Sequence, residues 1–258
     1  MRPARRDTRR IVPPARPWRA RALVALLLVA ETALGGKHRA RTKSRPPDFP
    51  ADAASSVACR YAALEPEDCL AELARRDVHF SKAGPAPGVR TPIRLTGPLN
   101  GVLYRTDFPD SQREKVPFEI LDCRLAVALS DFSAILKQHD IREVRLFSAW
   151  RPPPRGHDSL ETAHPGGLAA DLRLFKKSSG EELEVLRDFH GRIGATPCGP
   201  RAVPPAPSDA ASRELRAIFC AAVDARLFHV LLSPNEGARH ANHFHAEIRP
   251  EVRWFIVR

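Results

Sequence analysis

Two short segments of the chain bring together side chains that bind metal ions. His164 and Asp171 bound the segment His-Pro-Gly-Gly-Leu-Ala-Ala-Asp, and His240, His243 and His245 lie in the segment His-Ala-Asn-His-Phe-His. Neutral imidazole nitrogens and carboxylate oxygens are ligands that suit Zn²⁺. One His-rich tract carries little weight alone, but two tracts, one with the two-residue spacing of a strand, predict a metal site.

The spacing of these residues suggests which of them are ligands. Side chains two residues apart in a strand share one face, so His243 and His245 are expected to point the same way. His164 precedes a predicted strand that contains Asp171, and the Gly166–Gly167 pair gives the loop the freedom to turn back. We therefore predict that His164, Asp171 and His245 hold the ion, with a fourth position open as in catalytic zinc sites.

His243 is expected to act beside the metal rather than to bind it. A zinc ion lowers the pKa of a bound water to about 7. An imidazole next to that water can serve as a general base or can stabilise a developing oxyanion. These residues therefore predict metal-assisted chemistry in which His243 handles a proton.

The elements that carry these segments are predicted to form an α+β fold. Apolar residues at helical spacing predict helices, and short apolar runs between Gly and Pro predict strands. Short antiparallel-looking connections favour a small, mostly antiparallel central sheet flanked by helices, with the zinc site in a cleft on the sheet. The predicted helices are 66–76, 121–139, 181–189 and 211–224, and the predicted strands are 78–80, 93–95, 102–104, 141–150, 167–175, 228–232 and 243–248.

The net charge of +11 is confined to the N-terminal part of the chain. Residues 1–45 hold thirteen Lys and Arg and two acids, and the rest of the chain holds 28 bases and 28 acids. The body of the protein therefore has no net attraction for phosphate backbones, and a nucleic-acid partner is not expected.

Residues 1–36 have the organisation of a secretory signal peptide. Eight Arg occur in the first 21 residues, an apolar run follows over 22–30, and small residues come after it. The run is shorter than the ~20 residues of a membrane span, so no stable span is expected after cleavage, although retention as an anchor stays open. Residues 37–57 are predicted to be a basic disordered linker and residues 58–258 the folded domain.

The five cysteines are consistent with export to the periplasm or cell envelope, where disulfides persist. Cys59–Cys69 and Cys198–Cys220 are the simplest pairing, although a sequence does not decide connectivity. Cys123 lies in an apolar helical pattern and is expected to be a buried free thiol.

The motif residues resemble a known superfamily of zinc peptidases. His164-x-x-Gly-x-Ala-x-Asp171 followed by His240-x-x-His243-x-His245 is similar to the group that joins lysostaphin, the D-Ala-D-Ala metallopeptidases, murein endopeptidases and hedgehog domains. The resemblance implies that the first His, the Asp and the last His bind zinc and that His243 is catalytic. In murein endopeptidase-like members a further site His lies three residues upstream, which implies a catalytic role for His240.

Within that superfamily the chain looks most like the bacterial extensin-like C-terminal domain, over about residues 59–250. This resemblance includes Cys123-Arg-Leu-Ala and Ser148-Ala-Trp-Arg151. The chain departs from the family at Trp150, where a Cys is usual, which puts the family's disulfide pattern in doubt. It also has Ala246-Glu247 where Leu-Asp is usual, a change expected to touch neither a ligand nor the proposed base.

The resemblance also implies a substrate-binding role for Arg151, since related D-Ala-D-Ala peptidases carry a substrate-holding Arg in a similar Arg-Pro context. A guanidinium fork suits a peptide carboxylate. The alternative is an exposed surface Arg without a role.

The function implied is that of an exported zinc-dependent peptidase, similar to D-Ala-D-Ala metallopeptidases or murein endopeptidases. It would cleave peptide bonds in peptidoglycan stem peptides or cross-bridges, and the bond that is cut stays open. The alternative is a non-catalytic zinc-containing domain that binds the cell wall or a protein partner.

Overall fold

The computed structural model describes residues 46–153 and 163–258. The predicted signal peptide and the first part of the predicted linker lie outside these residues. Within them the chain forms a seven-stranded mixed sheet, a separate three-stranded antiparallel sheet and helices packed against them, which confirms the α+β prediction. The elements are α1 Val57–Ala62, α2 Pro66–Arg75, β1 Phe80–Lys82, β2 Pro92–Leu95, β3 Leu103–Thr106, α3 Asp110–Arg113, β4 Ile120–Asp122, α4 Cys123–Gln138, β5 Ile141–Leu146, β6 Ala169–Lys177, β7 Glu182–Glu184, α5 Val185–Asp188, α6 Ala210–Asp224, β8 Val230–Leu232, β9 Phe244–Glu247 and β10 Ile256–Val257.

The large sheet is mostly antiparallel, as predicted, but it is not small. In the part of the chain that the structure describes, its strands run in the order β10-β8-β9-β6-β5-β3, with β7 also paired to β6. The pairs β3–β5 and β8–β10 are parallel, and the others are antiparallel. Strand β6 is central to this arrangement, so its side chains can meet residues from strands on both sides.

Strands β5 and β6 each contain one extra residue relative to regular pairing. Ile141 pairs with Lys177 and Glu143 with Lys176, which leaves Arg142 over in β5. Further along, the register shift between Arg145 and Leu146 leaves Arg173 over in β6. Such bulges redirect side chains locally, and Arg173 lies two residues from the predicted ligand Asp171.

Helix α4 forms the centre of the hydrophobic core. The Asp122 side chain accepts a hydrogen bond from the Arg124 backbone N–H and so caps the first turn. Leu125, Leu129 and Phe132 are at most 2 % exposed and follow the helical spacing seen in the sequence. The helix contacts both β5 and α6, so this core supports the sheet that carries the metal-binding motifs.

Two of the helix predictions are wrong in part. Leu121 belongs to β4, where it pairs with Ile93 of β2, and the helix begins only at Cys123. The segment 181–189 forms strand β7 and the short helix α5, because Leu183 is buried where β7 adds to the edge of β6. Edge pairing has replaced the local helical pattern there.

The predicted strand 141–150 ends at Leu146 as a regular strand. Its continuation still bonds to β6: the Phe147 N–H donates to the Asp171 carbonyl, and the Asp171 N–H donates to the Ser148 carbonyl. The backbone around the predicted ligand is therefore held on this side as well.

Part of the predicted linker packs on the body of the protein. Asp48 exchanges two backbone hydrogen bonds with Phe255, each of 2.8 Å. Ala53 lies in a short 3₁₀ helix and is buried, and the Ser56 side chain caps α1 by accepting from the Cys59 N–H. The structured body thus includes residues 46–57. No helix within residues 46–153 and 163–258 has the length and apolar character needed to cross a membrane.

The disulfide pairing differs in one of its two bridges from the simplest expectation. Cys198–Cys220 is present as predicted. Cys69 pairs with Cys123 rather than with Cys59, because α2 packs against the start of α4 and brings their Cα atoms to 6.0 Å. The prediction of a free Cys123 is therefore wrong, and Cys59 is the unpaired thiol among the described residues. Two disulfides are typical of an oxidising, extracytoplasmic compartment.

We expect the double variant Cys69→Ala/Cys123→Ala to unfold at lower urea concentration than the wild type. Opening a bridge of this kind lowers the free energy of unfolding by about 2–5 kcal/mol. A strong reductant opens the wild-type bridges too, so under reducing conditions the two proteins should unfold at similar urea concentrations. Equal stability under oxidising conditions would show that this bridge does not form in solution.

His229 is buried in a network that requires its neutral form. The Arg249 backbone N–H donates to His229 Nδ1 at 3.0 Å, so Nε2 carries the proton and donates to Cys59 Sγ at 3.4 Å. The thiol in turn donates to the Val252 carbonyl. Burial lowers the pKa of His229 to about 4, because the surroundings do not solvate an imidazolium.

This network predicts a loss of stability in mild acid. The folded-state pKa of His229 lies below that of an unfolded His, so only the unfolded chain takes up a proton as the pH falls from about 6.5 to about 4. Over that range the free energy of unfolding should fall by about 2–3 kcal/mol from this residue, with no contribution above it. His229→Asn should remove that part of the pH dependence in urea melts, whereas His79→Asn, at an exposed position, should retain it.

Candidate metal centre

The pairing of β6 with β9 brings the two predicted metal-binding motifs together. Asp171 and His245 are direct partners across these antiparallel strands. His243, just before β9, shares the face of His245, as the two-residue spacing predicts. Phe244 between them points to the opposite face and packs its ring on those of Phe175, Phe189 and Phe219, with centroid distances of 5.7, 5.3 and 5.1 Å. This aromatic anchor directs both imidazoles away from the core.

A tight turn returns His164 to the same face of the sheet. The Gly167 N–H donates to the His164 carbonyl, and Gly167 has a φ of 65°, a conformation that favours glycine. A Cβ at Gly167 would also lie 2.8 Å from the backbone nitrogen of Asp122. The turn therefore needs glycine at this position for two reasons. Of the two glycines predicted to let the loop turn back, Gly167 is the one with the left-handed backbone conformation.

Three imidazoles converge on one carboxylate oxygen. His164 Nε2 and His245 Nδ1 each lie 3.0 Å from Asp171 Oδ1, and His243 Nε2 lies 3.3 Å from it. The predicted ligands His164, Asp171 and His245 are buried, and their ligand atoms lie within 4.8 Å of one another, so this group could hold a metal ion. The sequence had predicted this set of three, and the fold assembles it.

The ring nitrogens of His164 and His245 that face away from the cluster also have hydrogen-bond partners. His164 Nδ1 lies 2.6 Å from the Ala149 carbonyl, and His245 Nε2 lies 3.1 Å from Glu247 Oε2. These acceptors fix the ring orientations, so that His164 Nε2 and His245 Nδ1 face the centre. Two imidazole nitrogens and one carboxylate oxygen are a donor set that suits Zn²⁺.

Glu247 is a site residue that sequence reasoning missed. The expectation that the change at Ala246-Glu247 touches no ligand is wrong, because Glu247 contacts His245 directly. Glu247 is only 2 % exposed, and its other oxygen accepts from Arg249 Nε at 2.7 Å. The two-residue spacing that paired His243 with His245 also places Glu247 on their face, and this signal could have identified it.

The charges of the site residues compensate one another. Burial raises the pKa of Asp171, but hydrogen bonds from His164, His243 and His245 outweigh it and hold that pKa well below its usual range. His245 has a carboxylate at each ring nitrogen, and only the imidazolium can donate to both. Burial lowers the pKa of His245, but Asp171 and Glu247 together raise it to about 9.

Arg151 contacts the same ligand carboxylate from the outside. One of its terminal nitrogens lies 2.9 Å from Asp171 Oδ2, and its side chain is 51 % exposed. The sequence predicted either a substrate-binding Arg or an exposed surface Arg without a role. In the structure Arg151 is half exposed and also contacts the predicted ligand Asp171, a contact that the sequence did not predict.

His240 lies at the edge of the cluster. Its ring centroid is 5.2 Å from that of His243 and 5.7 Å from that of His245. His240 Nδ1 lies 2.7 Å from Glu236 Oε2. Burial lowers the pKa of His240, and Glu236 offsets part of that effect. The structure thus brings all six predicted site residues into one neighbourhood: His164, Asp171, His240, His243, His245 and Arg151.

Comparisons with known proteins found no match for this chain. The chain matches no family model, no curated protein and no solved structure. The resemblance to the zinc peptidase superfamily therefore rests on the motif residues, and what the residues can do chemically rests on their geometry.

We expect the purified protein to hold one Zn²⁺ per chain and to lose it when any of the three ligands is removed. His164→Ala, Asp171→Ala and His245→Ala each leave two ligands, which are too few for tight binding. Elemental analysis of dialysed protein measures the metal content. His79→Ala, at an exposed His far along the chain, serves as the control, and full zinc content in any of the three ligand variants would contradict the assignment.

Proposed function

We propose that this protein is an exported zinc peptidase that hydrolyses peptide bonds in peptidoglycan stem peptides or cross-bridges. The observation that carries the proposal is the position of His243. Its imidazole reaches the metal-binding cluster from outside the group of three that could hold the ion. A site that only bound a metal through these three side chains would not require a third imidazole there.

His243 is suited to the role of general base. Its Nδ1 lies 2.8 Å from the side-chain oxygen of Asn242. If a bound metal takes up Asp171 Oδ1, Nε2 no longer donates to that oxygen; with Nδ1–H donating to Asn242, Nε2 then carries the lone pair and faces the cluster. From there it can take a proton from a water that attacks a carbonyl carbon, and can return the proton to the leaving amine. A bound Zn²⁺ would polarise the carbonyl and acidify the water.

His240 supports the same step from the cluster edge. Glu236 accepts a hydrogen bond from His240 Nδ1–H, so Nε2 of the neutral ring carries the lone pair and can accept a hydrogen bond from the attacking water. This role follows from the resemblance to murein endopeptidases and from the distance of 5.2 Å between the His240 and His243 rings.

Arg151 is proposed to bind a substrate carboxylate. A guanidinium has five N–H donors, so its contact with Asp171 leaves donors for a second partner. Half of the Arg151 side chain is exposed, which is compatible with contact to a bound peptide. Stem peptides of peptidoglycan carry such carboxylates.

The compartment fits this substrate. The two disulfides are typical of proteins outside the cytoplasm. The signal peptide predicted for residues 1–36 would deliver the domain to the periplasm or cell envelope, where peptidoglycan lies. The balanced charge of the body gives no reason to expect a nucleic-acid partner.

The proposal is tested by digesting purified sacculi with the zinc-loaded protein and identifying the products by mass spectrometry. We expect new amino or carboxyl termini within stem peptides or cross-bridges. His243→Ala should retain its zinc and lose at least a hundredfold in rate, since a positioned general base contributes about 10²–10⁴-fold.

Two results would count against the proposal. Unchanged sacculi together with tight zinc binding would favour the non-catalytic alternative, a zinc-containing domain that binds the wall or a protein. Equal rates for the wild type and His243→Ala would remove His243 from the mechanism, even if peptides were cut.

A further inference from the structure

The two ligand imidazoles are oriented by different kinds of acceptor. His164 is held by a neutral backbone carbonyl, that of Ala149. His245 is held by the carboxylate of Glu247, which is 2 % exposed. A buried carboxylate is costly unless it is paired, so its presence behind a metal ligand calls for a physical reason.

We propose that Glu247, fixed by Arg249, is a positioning residue that sets the metal affinity of the site through His245. The inference rests on the metal centre of the proposed function. Glu247 and Arg249 lie outside the two motifs that contain the predicted ligands. The inference does not depend on which substrate the protein uses.

The Glu247 carboxylate is held on both sides. One oxygen lies 3.1 Å from His245 Nε2, and the other accepts from Arg249 Nε at 2.7 Å. The Arg249 guanidinium lies over the ring of Trp254, 5.5 Å from its centroid, and the Arg249 backbone N–H donates to His229. Arg249 is therefore fixed at three points, and it limits the positions that the carboxylate can take.

This arrangement determines which nitrogen of His245 is available. If a metal displaces the proton from Nδ1, the Glu247 carboxylate keeps the other proton on Nε2, so the lone pair of the neutral ring is on Nδ1, the nitrogen that faces Asp171. The negative charge of Glu247 also makes the imidazole more basic, so Nδ1 is a stronger metal ligand. Loss of such a partner typically weakens metal binding by about 10–100-fold.

The test is the dissociation constant of Zn²⁺, measured on the full chain by competition with a chromophoric chelator. Glu247→Gln keeps the size of the side chain and removes its charge, and we expect it to bind Zn²⁺ about 10–100-fold more weakly. Glu236→Gln is the matched control. It makes the same chemical change behind His240, which is not a ligand, and should leave the dissociation constant within about twofold of the wild type.

Cobalt substitution gives a readout that a purely structural role would not change. We expect the d–d absorption bands of the Co²⁺ protein to shift in Glu247→Gln and to match the wild type in Glu236→Gln. Because Glu247→Gln alters a buried pair and could fail to fold, Arg249→Gln is the second variant. The Arg249 side chain is partly exposed, so its replacement is less disruptive to folding. The loss of its contact with Glu247 should also weaken Zn²⁺ binding, but by a smaller factor.

The inference is overturned if folded Glu247→Gln binds Zn²⁺ as tightly as the wild type, or if Glu236→Gln weakens binding equally. If Glu247→Gln does not fold, an unchanged affinity in Arg249→Gln overturns it. These outcomes are separate from those of the sacculus assay. Weakened binding without peptide cleavage would support the inference and reject the peptidase, and cleavage with unchanged affinity would do the reverse.

Discussion

The antiparallel register of β6 and β9 is the constraint on which the site depends. It sets Asp171 opposite His245, and a slip of one residue would turn one of these side chains to the other face of the sheet. The aromatic cluster behind the sheet opposes such a slip, because Phe244 would then have to leave its packed position among three other rings and turn to the face that carries the imidazoles. The hydrophobic core thus determines the geometry of the polar residues.

The two buried carboxylates Asp171 and Glu247 are compensated in the same way. Asp171 has three imidazoles at one oxygen and Arg151 at the other, and Glu247 has His245 at one oxygen and Arg249 at the other. Buried charges are tolerated when they are paired and fully hydrogen-bonded. These pairings fix the orientations of the His164 and His245 rings, so a metal bound by them would require little rearrangement of the rings.

The sequence predicted which residues come together at the centre better than it predicted the surroundings of the centre. Ligand spacing is local, so His164, Asp171, His243 and His245 could be read from two short segments and one strand period. The partner of Cys69 could not, because the packing of α2 on the start of α4 decides it. Strand β7 was missed for the same reason: its pairing with β6 is a contact between segments, and the local pattern of 181–189 favoured a helix. Glu247 had a readable signal in its spacing, but its importance depends on burial and on Arg249.

The two bulges of β5 and β6 have a consequence for how the sequence of this domain can vary. The register is displaced by one residue at Arg142 and restored at Arg173, so the two extra residues cancel. Losing Arg173 alone would leave a mismatch next to Asp171, which is tied to Ser148 on one side and to β9 on the other. Losing both would restore regular pairing throughout. Insertions and deletions in these two strands are therefore tolerated only as compensating pairs, and a single one would misalign the ligands without changing any of them.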